Sequence, residues 1–356
     1  MRRFAIAMAA LAALTLLTAP AAYSETDGDC IYYLHTTDGE YLTMRAGRMY
    51  EGDEYIAGDD RHFRVTSVDD EACMAYAEQI SDSALPSALF SGTSAMAEEA
   101  GEEKKKLICM YSTHSDESYV PNDGDSSLWE NAGIYDVGNA LKDALEEKGI
   151  EVVYSEKTFL PHDTGAYSRS APTAKELLQK SPDALFDVHR DATPADEYET
   201  EVDGEDMSKV RLFVGRSNSN SQANMAFAKE IKARADKKYP GLIKDIYIGK
   251  GNYNQELYPQ ALLLELGTHE IDKDLVINST SYLAEVIDEV LYGDSAKAEG
   301  AGTNTGAAKG IVWAIVIAIF AAVIYALAST GRFGGIWDRV KRSIGEITGG
   351  SIGGRK

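Results

Sequence analysis

Three polar runs interrupt apolar stretches of the chain, and two of them carry histidine. Ser112-Thr113-His114-Ser115-Asp116-Glu117 follows the run Leu107–Tyr111. Asp187-Val188-His189-Arg190-Asp191 continues the run that begins at Ala184. Glu265 stands inside Ala261–Leu266. Imidazole and carboxylate are zinc donors, and a catalytic zinc site uses three protein ligands and leaves a fourth position for water. His114, Glu117 and His189 meet that requirement. An ion held there would lower the pKa of water from about 16 towards ~7 and polarise a scissile carbonyl. A carboxylate in an apolar run such as that of Glu265 is costly without a purpose. It suits a general base that takes a proton from water and passes it to a leaving amine. A lone histidine at a strand end is more often structural, and His-x-x-Glu arises by chance; the weight lies in all four residues falling at three strand ends. Arg190 and Asp191 flank the second histidine and are expected to orient it or to bind substrate. Asn254 and Gln255 precede the last apolar run and could hydrogen-bond a substrate, a satisfied turn being the alternative. His162 and Asp163 sit in a loop.

The elements around these residues alternate. Leu107–Tyr111, Ile150–Tyr154, Ala184–Val188, Val210–Val214, Ile246–Ile248 and Ala261–Leu266 read as strands. Ile134–Lys148, Tyr167–Gln179, Gln222–Lys238 and Leu275–Leu291 read as helices, closed by Gly149, Pro182 and Pro240-Gly241 where such stops are present. The pattern predicts an α/β domain over 107–293, a mostly parallel sheet flanked by helices. The strands do not alternate polar with apolar, as expected of a sheet covered on both faces. Ligands of such sheets collect at the carboxyl ends of the strands. Residues 25–79 carry short alternating runs separated by Gly and Asp, and predict a small β-rich module. Residues 80–106, rich in Ser, Ala, Gly and Glu, read as a linker. Cys30 and Cys73 bracket the small module and could pair in an oxidising compartment. Cys109 lies in an apolar strand and reads as a buried thiol.

Two apolar segments set the expected topology. Arg2 and Arg3, the run Phe4–Leu17 and the small residues up to Ser24 have the layout of a secretory signal peptide over 1–24. Residues 294–309 read as a flexible tether. Residues 310–328 contain an uncharged apolar run long enough, at ~1.5 Å per residue, to cross a ~30 Å hydrocarbon layer as a transmembrane helix. Arg332, Arg339, Lys341 and Arg342 follow, so 329–356 is expected to be a cytoplasmic basic tail, with the domain outside the cell membrane. The net charge of −22 argues against nucleic-acid binding. No nucleophile-elbow, phosphate-loop or dinucleotide motif is present. Gly124-Asp125-Ser126 lacks the downstream Asp-x-x-His of a serine hydrolase.

The stretches THSDESYVP (113–121), DVGNALKDALEEKGIEV (136–152), DVHRDA (187–192), FAKEIKARADKKYPGL (227–242) and GNYNQELYPQALLLELG (251–267) resemble the catalytic domain of the stage II sporulation protein P family. That family belongs to the membrane-bound zinc N-acetylmuramoyl-L-alanine amidases. Its first motif often carries an earlier histidine, where this chain has Ser112. The resemblance implies cleavage of the MurNAc–L-alanine bond of peptidoglycan, in septal wall remodelling and engulfment during sporulation. It also implies partnership with a lytic transglycosylase and a membrane scaffold. The wider zinc amidase group places its ligand glutamate further from the first histidine, which makes Glu130 the alternative to Glu117. A zinc endopeptidase and an inactive wall-binding scaffold are the rival readings.

Overall fold

The computed structural model describes residues 30–80, 105–163 and 165–293. The expected signal peptide, tether, membrane helix and basic tail lie outside these residues, as does most of the linker. Among the described residues no helix is long and apolar enough to cross a membrane.

Thirteen strands are present among the described residues: β1 (Ile31–Thr36), β2 (Tyr41–Ala46), β3 (Glu54–Ile56), β4 (His62–Asp69), β5 (Met74–Gln79), β6 (Leu107–Tyr111), β7 (Glu151–Ser155), β8 (Ala184–Asp191), β9 (Glu199–Val202), β10 (Glu205–Ser208), β11 (Val210–Gly215), β12 (Ile243–Gly249) and β13 (Ala261–Thr268). Four long helices accompany them: α1 (Gly133–Glu147), α2 (Ala166–Leu178), α3 (Ser221–Lys238) and α4 (Lys273–Leu291). Eleven strands form one sheet in the order β2-β1-β5-β4-β3-β12-β11-β13-β8-β6-β7, and β9–β10 make a separate hairpin.

The fold is mixed α/β. Strands β13, β8, β6 and β7 are mutually parallel, and β11 is parallel to β12. The expectation of a mostly parallel sheet holds for this part, with one reversal: β11 runs antiparallel to β13. Parallel neighbours need a long crossover, usually helical. Helices α1, α2 and α3 supply it after β6, β7 and β11. Between β8 and β11 the chain has only a short 3-10 turn, Ala195–Glu197, and the β9–β10 hairpin, and between β12 and β13 only a loop and another short 3-10 turn. The polarity reversal therefore brings the start of β11 to the same sheet edge as the ends of β6, β8 and β13.

One face of the sheet, with Ile108, Met110, Phe186, Val188, Leu212, Leu262 and Leu264, packs against α1, α3 and α4. The buried positions of α1 are Gly133, Ile134, Val137, Gly138, Leu141 and Leu145, the spacing of a one-sided amphipathic helix. Gly149 ends that segment in the left-handed region at φ 78°, as helix-terminating glycines do. On the other face, Cys109, Tyr111 and Leu185 meet α2 through Ala174 and Leu177.

Residues 30–80 form the expected β-rich set, and they continue the main sheet. Strand β3 pairs antiparallel with β12, Tyr55 opposite Tyr247. Strands β4, β5, β1 and β2 then curl back over the second face, so that Tyr32, Leu34, Phe63 and Ala75 share a core with Phe213, Tyr247 and Leu263. The edge of β12 explains the attachment: an unpaired row of backbone groups is a ready template for a further strand.

Cys30 and Cys73 form the expected disulfide, and Cys109 is a buried thiol whose pKa burial pushes up to about 11. The bridge closes the start of β1 onto the turn before β5. Replacing Cys73 with serine is expected to cost about 2–4 kcal/mol. Chemical denaturation of oxidised wild type against the variant measures this, and an unchanged midpoint would show the bridge to be inert.

Candidate metal centre

The carboxyl end of β6 leads directly into a tight, fully buried turn, Ser112 to Ser118. Thr113 fixes its start by donating its backbone N–H (2.8 Å) and its hydroxyl (2.6 Å) to the two carboxylate oxygens of Asp187 on β8. Ser115 Oγ accepts from the N–H of Phe159 at 2.9 Å. The far side is bound to the loop before α1: Ser118 N–H donates to Ser126 O, and Leu128 N–H to Asp116 O. The ligand-bearing turn is thereby held from both sides.

Within that frame His114, Glu117 and His189 converge. One potential ligand atom from each lies within 4.8 Å of the others, and all three side chains are buried. Glu117 Oε1 is 3.2 Å from His114 Nδ1 and 3.3 Å from His189 Nδ1. Donors around a tetrahedral ion at ~2.0–2.1 Å stand about 3.3–3.4 Å apart, so these spacings fit a shared cation. The set of two imidazoles and one carboxylate fits a zinc-type ion.

Electrostatics point the same way. Burial pushes the His114 imidazole down to about 4, which keeps it neutral with a lone pair to donate. Burial also opposes the charged form of His189, but the carboxylates of Asp187 and Glu117 outweigh it and raise its pKa well above the usual range. Burial would raise Glu117; His189, His114 and Arg190 reverse this and hold it ionised. The cluster without metal is thus a proton held between carboxylates, in a place where a cation can replace it. Asp187 Oδ1 lies 2.9 Å from His189 Nε2, a close charge contact that is out of line for a hydrogen bond. Carboxylates behind a ligand histidine typically tune affinity 10- to 100-fold. Asp187→Asn is expected to weaken zinc binding by about that factor. Competition with a chromophoric chelator measures it, and equal affinity in the two proteins would exclude the role.

Glu117, and not Glu130, is the carboxylate brought to the histidines. Glu130 is exposed in the loop before α1. Arg190 does orient the site: its N–H donates to Glu117 Oε2 at 2.8 Å and its guanidinium to Ser118 O and Ser126 O. Asp191, Asn254 and Gln255, expected to orient the histidine or to contact substrate, are buried and hydrogen-bonded within the protein. Asp191 is 4% exposed and accepts from Ala46 N–H, Tyr198 and Arg211. Asn254 donates to Tyr167 O and Ser170 Oγ, and Gln255 donates to Phe213 O while accepting from Gly215 N–H. These groups are consumed by the scaffold, as the satisfied-turn alternative has it.

Glu265 is buried on β13 in register with His189 on β8, so the two side chains leave the same face. The strand breaks its register immediately afterwards, at Gly267, whose φ of 71° and 2.7 Å Cβ approach to Val276 leave no room for a side chain. His162 was placed in a loop by the sequence; its ring stacks on His114 at 4.0 Å and its Nδ1 is 3.0 Å from Asp116 Oδ1. Sequence reasoning missed a role for Asp187, which shares the two-residue period of His189 and Asp191 along β8. It also missed Arg211, a lone charge in an apolar run just as Glu265 is. A separate cleft lined by Arg48, Tyr50, Arg216 and Lys250 contains none of these residues, and its Arg48 and Arg216 are paired with Asp70 and Asp53.

The family model described as "Stage II sporulation protein P (SpoIIP)" matches residues 53–288. The chain belongs to the stage II sporulation protein P family. The match begins within the N-terminal strands, just before β3, and so includes part of the curled sheet as well as the metal centre. The chain is 29% identical over 221 residues to Stage II sporulation protein P of Bacillus subtilis (strain 168), covering 56% of this chain and 55% of that one. It therefore spans about half the length of that curated relative. Partial structural likenesses include the N-acetylmuramyl-L-alanine amidase Ami1 of Mycobacterium smegmatis, at 12% identity and TM-score 0.36 over 53% of this chain and 98% of that one. Another is an N-acetylmuramoyl-L-alanine amidase of Clostridium difficile 630, at 15% identity and TM-score 0.35 over 56% of this chain and 100% of that one.

Proposed function

We propose that this protein is a zinc-dependent N-acetylmuramoyl-L-alanine amidase that cuts the MurNAc–L-Ala bond of peptidoglycan. The observation that carries the reading is the convergence of His114, Glu117 and His189 beside Glu265, in a chain of this family. His114, Glu117 and His189 would hold the ion. A bound zinc ion supplies Lewis acidity towards a carbonyl and makes water acidic enough to deprotonate near neutral pH. Glu265 takes the proton from the attacking water on its carboxylate and returns it to the departing amine of L-alanine. Arg190 and Asp187 keep Glu117 and His189 in place throughout. The buried turn limits bulk water around the reacting groups, which strengthens each charge interaction there.

The signal peptide, tether and membrane helix expected from the sequence would place this centre outside the cell membrane, next to its polymer. The family match supports a setting in sporulation, and partnership with a lytic transglycosylase and a membrane scaffold is part of the same proposal.

The test is product analysis. The full chain, loaded with zinc, is incubated with purified peptidoglycan, and new ends are identified by mass spectrometry. Stem peptides with free L-alanine amines, and glycan left with unsubstituted lactyl groups, are expected. Cleavage only within the peptides would make the protein an endopeptidase. Absence of any cleavage, with peptidoglycan still bound, would favour a scaffold.

A further inference from the structure

Arg211 stands at the start of β11 and is fully buried. A buried guanidinium is several kcal/mol unfavourable unless its donors are all engaged. Here they are. Nε (2.7 Å) and Nη2 (3.0 Å) donate to the two oxygens of Asp245, a forked pair. Nη1 donates to Asp191 Oδ2 at 3.0 Å. Nη2 donates also to Thr43 Oγ1 (2.7 Å) and Met44 O (3.0 Å) on β2. Nη1 then faces Glu265 Oε2 at 3.5 Å. The Tyr198 hydroxyl lies between the acids, 2.9 Å from Asp191 Oδ2 and 3.0 Å from Glu265 Oε2.

The register gives this cluster a direction. Arg211 is opposite Glu265 across β11–β13, and Glu265 is opposite His189 across β13–β8. Guanidinium, carboxylate and imidazole therefore stand in one row across three adjacent strands, on one face of the sheet. The carboxylate lies between the metal centre and a cation that cannot move, because five hydrogen bonds from four residues hold it. Two of those bonds come from β2, which reaches this face only because the N-terminal strands curl back. Ala46 N–H on the same strand also donates to Asp191 at 3.3 Å.

We propose that Arg211 is the positioning residue for Glu265, and that strand β2, through Thr43 and Met44, completes the cage that holds it. The N-terminal strands are then part of the catalytic apparatus. This rests on Glu265 acting as the proton carrier of the proposed amidase.

The experiment compares full-length wild type with Arg211→Lys, Arg211→Met and Thr43→Val on soluble muramyl-peptide fragments. It records kcat and KM, zinc per chain and the melting curve. Lysine keeps the charge but cannot reach Asp191, Asp245 and Thr43 at once. Arg211→Lys is expected to lose about 10- to 100-fold in kcat, with KM within about twofold, zinc unchanged and a cooperative melt. Thr43→Val, nearly isosteric and retaining Arg211, is expected to lose kcat several-fold with the same signature. Arg211→Met strands three buried acids; should it fail to fold, the other two variants decide. A purely structural role predicts lowered melting points with wild-type kcat in the folded, zinc-loaded variants, and that result overturns the proposal. A fall in kcat that tracks zinc loss overturns it as well. Wild type that binds zinc yet cleaves nothing overturns the amidase reading, and this role with it.

Discussion

Alanine at His114 or His189 is expected to leave the protein without tightly held zinc and to cut hydrolysis by about 10³-fold or more, since the Lewis acid is worth several kcal/mol at the transition state. The geometry makes the two histidines equivalent partners of one oxygen, Glu117 Oε1, so neither can be lost while a three-ligand site is kept. Zinc uptake should also release protons, because the ligands must bind unprotonated. His189 supplies the sign. Its pKa is raised by Asp187 and Glu117 against burial, so the metal-free protein carries that proton at neutral pH and affinity climbs with pH. The metal-free fold should feel the same groups in opposite directions. His114, depressed from 6.5 to about 4, contributes stability that is present above pH 6.5 and lost as pH falls towards 4. His189 contributes stability that is full below pH 6.5 and lost as pH rises through its raised value. Calorimetry in two buffers of different ionisation enthalpy reads the proton count, and inductively coupled plasma analysis reads the metal. Alanine variants that keep stoichiometric zinc would place the ion elsewhere.

Glu265→Gln is expected to separate binding from chemistry. Glutamine keeps the shape and can still receive the Tyr198 hydroxyl, so the fold and zinc content should stay as in wild type. It cannot accept a proton from water at neutral pH, and kcat should fall by about 10²- to 10⁴-fold, the span usual for a general base. KM should change little. Retention of wild-type turnover would leave Glu265 as a structural partner of Tyr198 and Arg211 and would require another proton acceptor. Loss of zinc along with activity would make it a ligand in place of a base.

Much of the centre was legible because buried polar residues are conspicuous against apolar strands. His114 and His189 lie at or just past the carboxyl ends of apolar runs and Glu265 stands between Leu264 and Leu266, so charge there needs a reason, and the convergence follows from the rule that ligands gather at carboxyl ends. The choice between Glu117 and Glu130 needs the turn itself, whose shape depends on a contact with Ser126 in the next loop and on Asp187 far along the chain. Asn254 and Gln255 were read as substrate contacts because polar side chains before a strand look available. Their internal partners, Tyr167 O and Ser170 Oγ for Asn254 and Phe213 O and Gly215 N–H for Gln255, lie 40 to 87 residues away and are mostly backbone groups, which no local side-chain pattern reveals. The reversal of β11 was hidden for a related reason: its apolar run reads the same in either direction, and only the missing crossover helix before it hints at the turn. The attachment of residues 30–80 to the sheet was equally silent, since short strands carry no label for the edge they will join.

That attachment sets an order of events. Ribosomes release the N-terminal strands first, yet the edge that receives them, β12, is made much later: Ile56 must wait for Ile246, and Thr43 for Arg211. Contacts so distant along the chain form slowly, since a long loop must close before they give anything back. Until then Tyr32, Leu34 and Phe63 have no partner surface from β11–β13. The Cys30–Cys73 bridge needs none of those distant contacts, and once formed in an oxidising compartment it can hold the N-terminal strands together until the edge of β12 is in place.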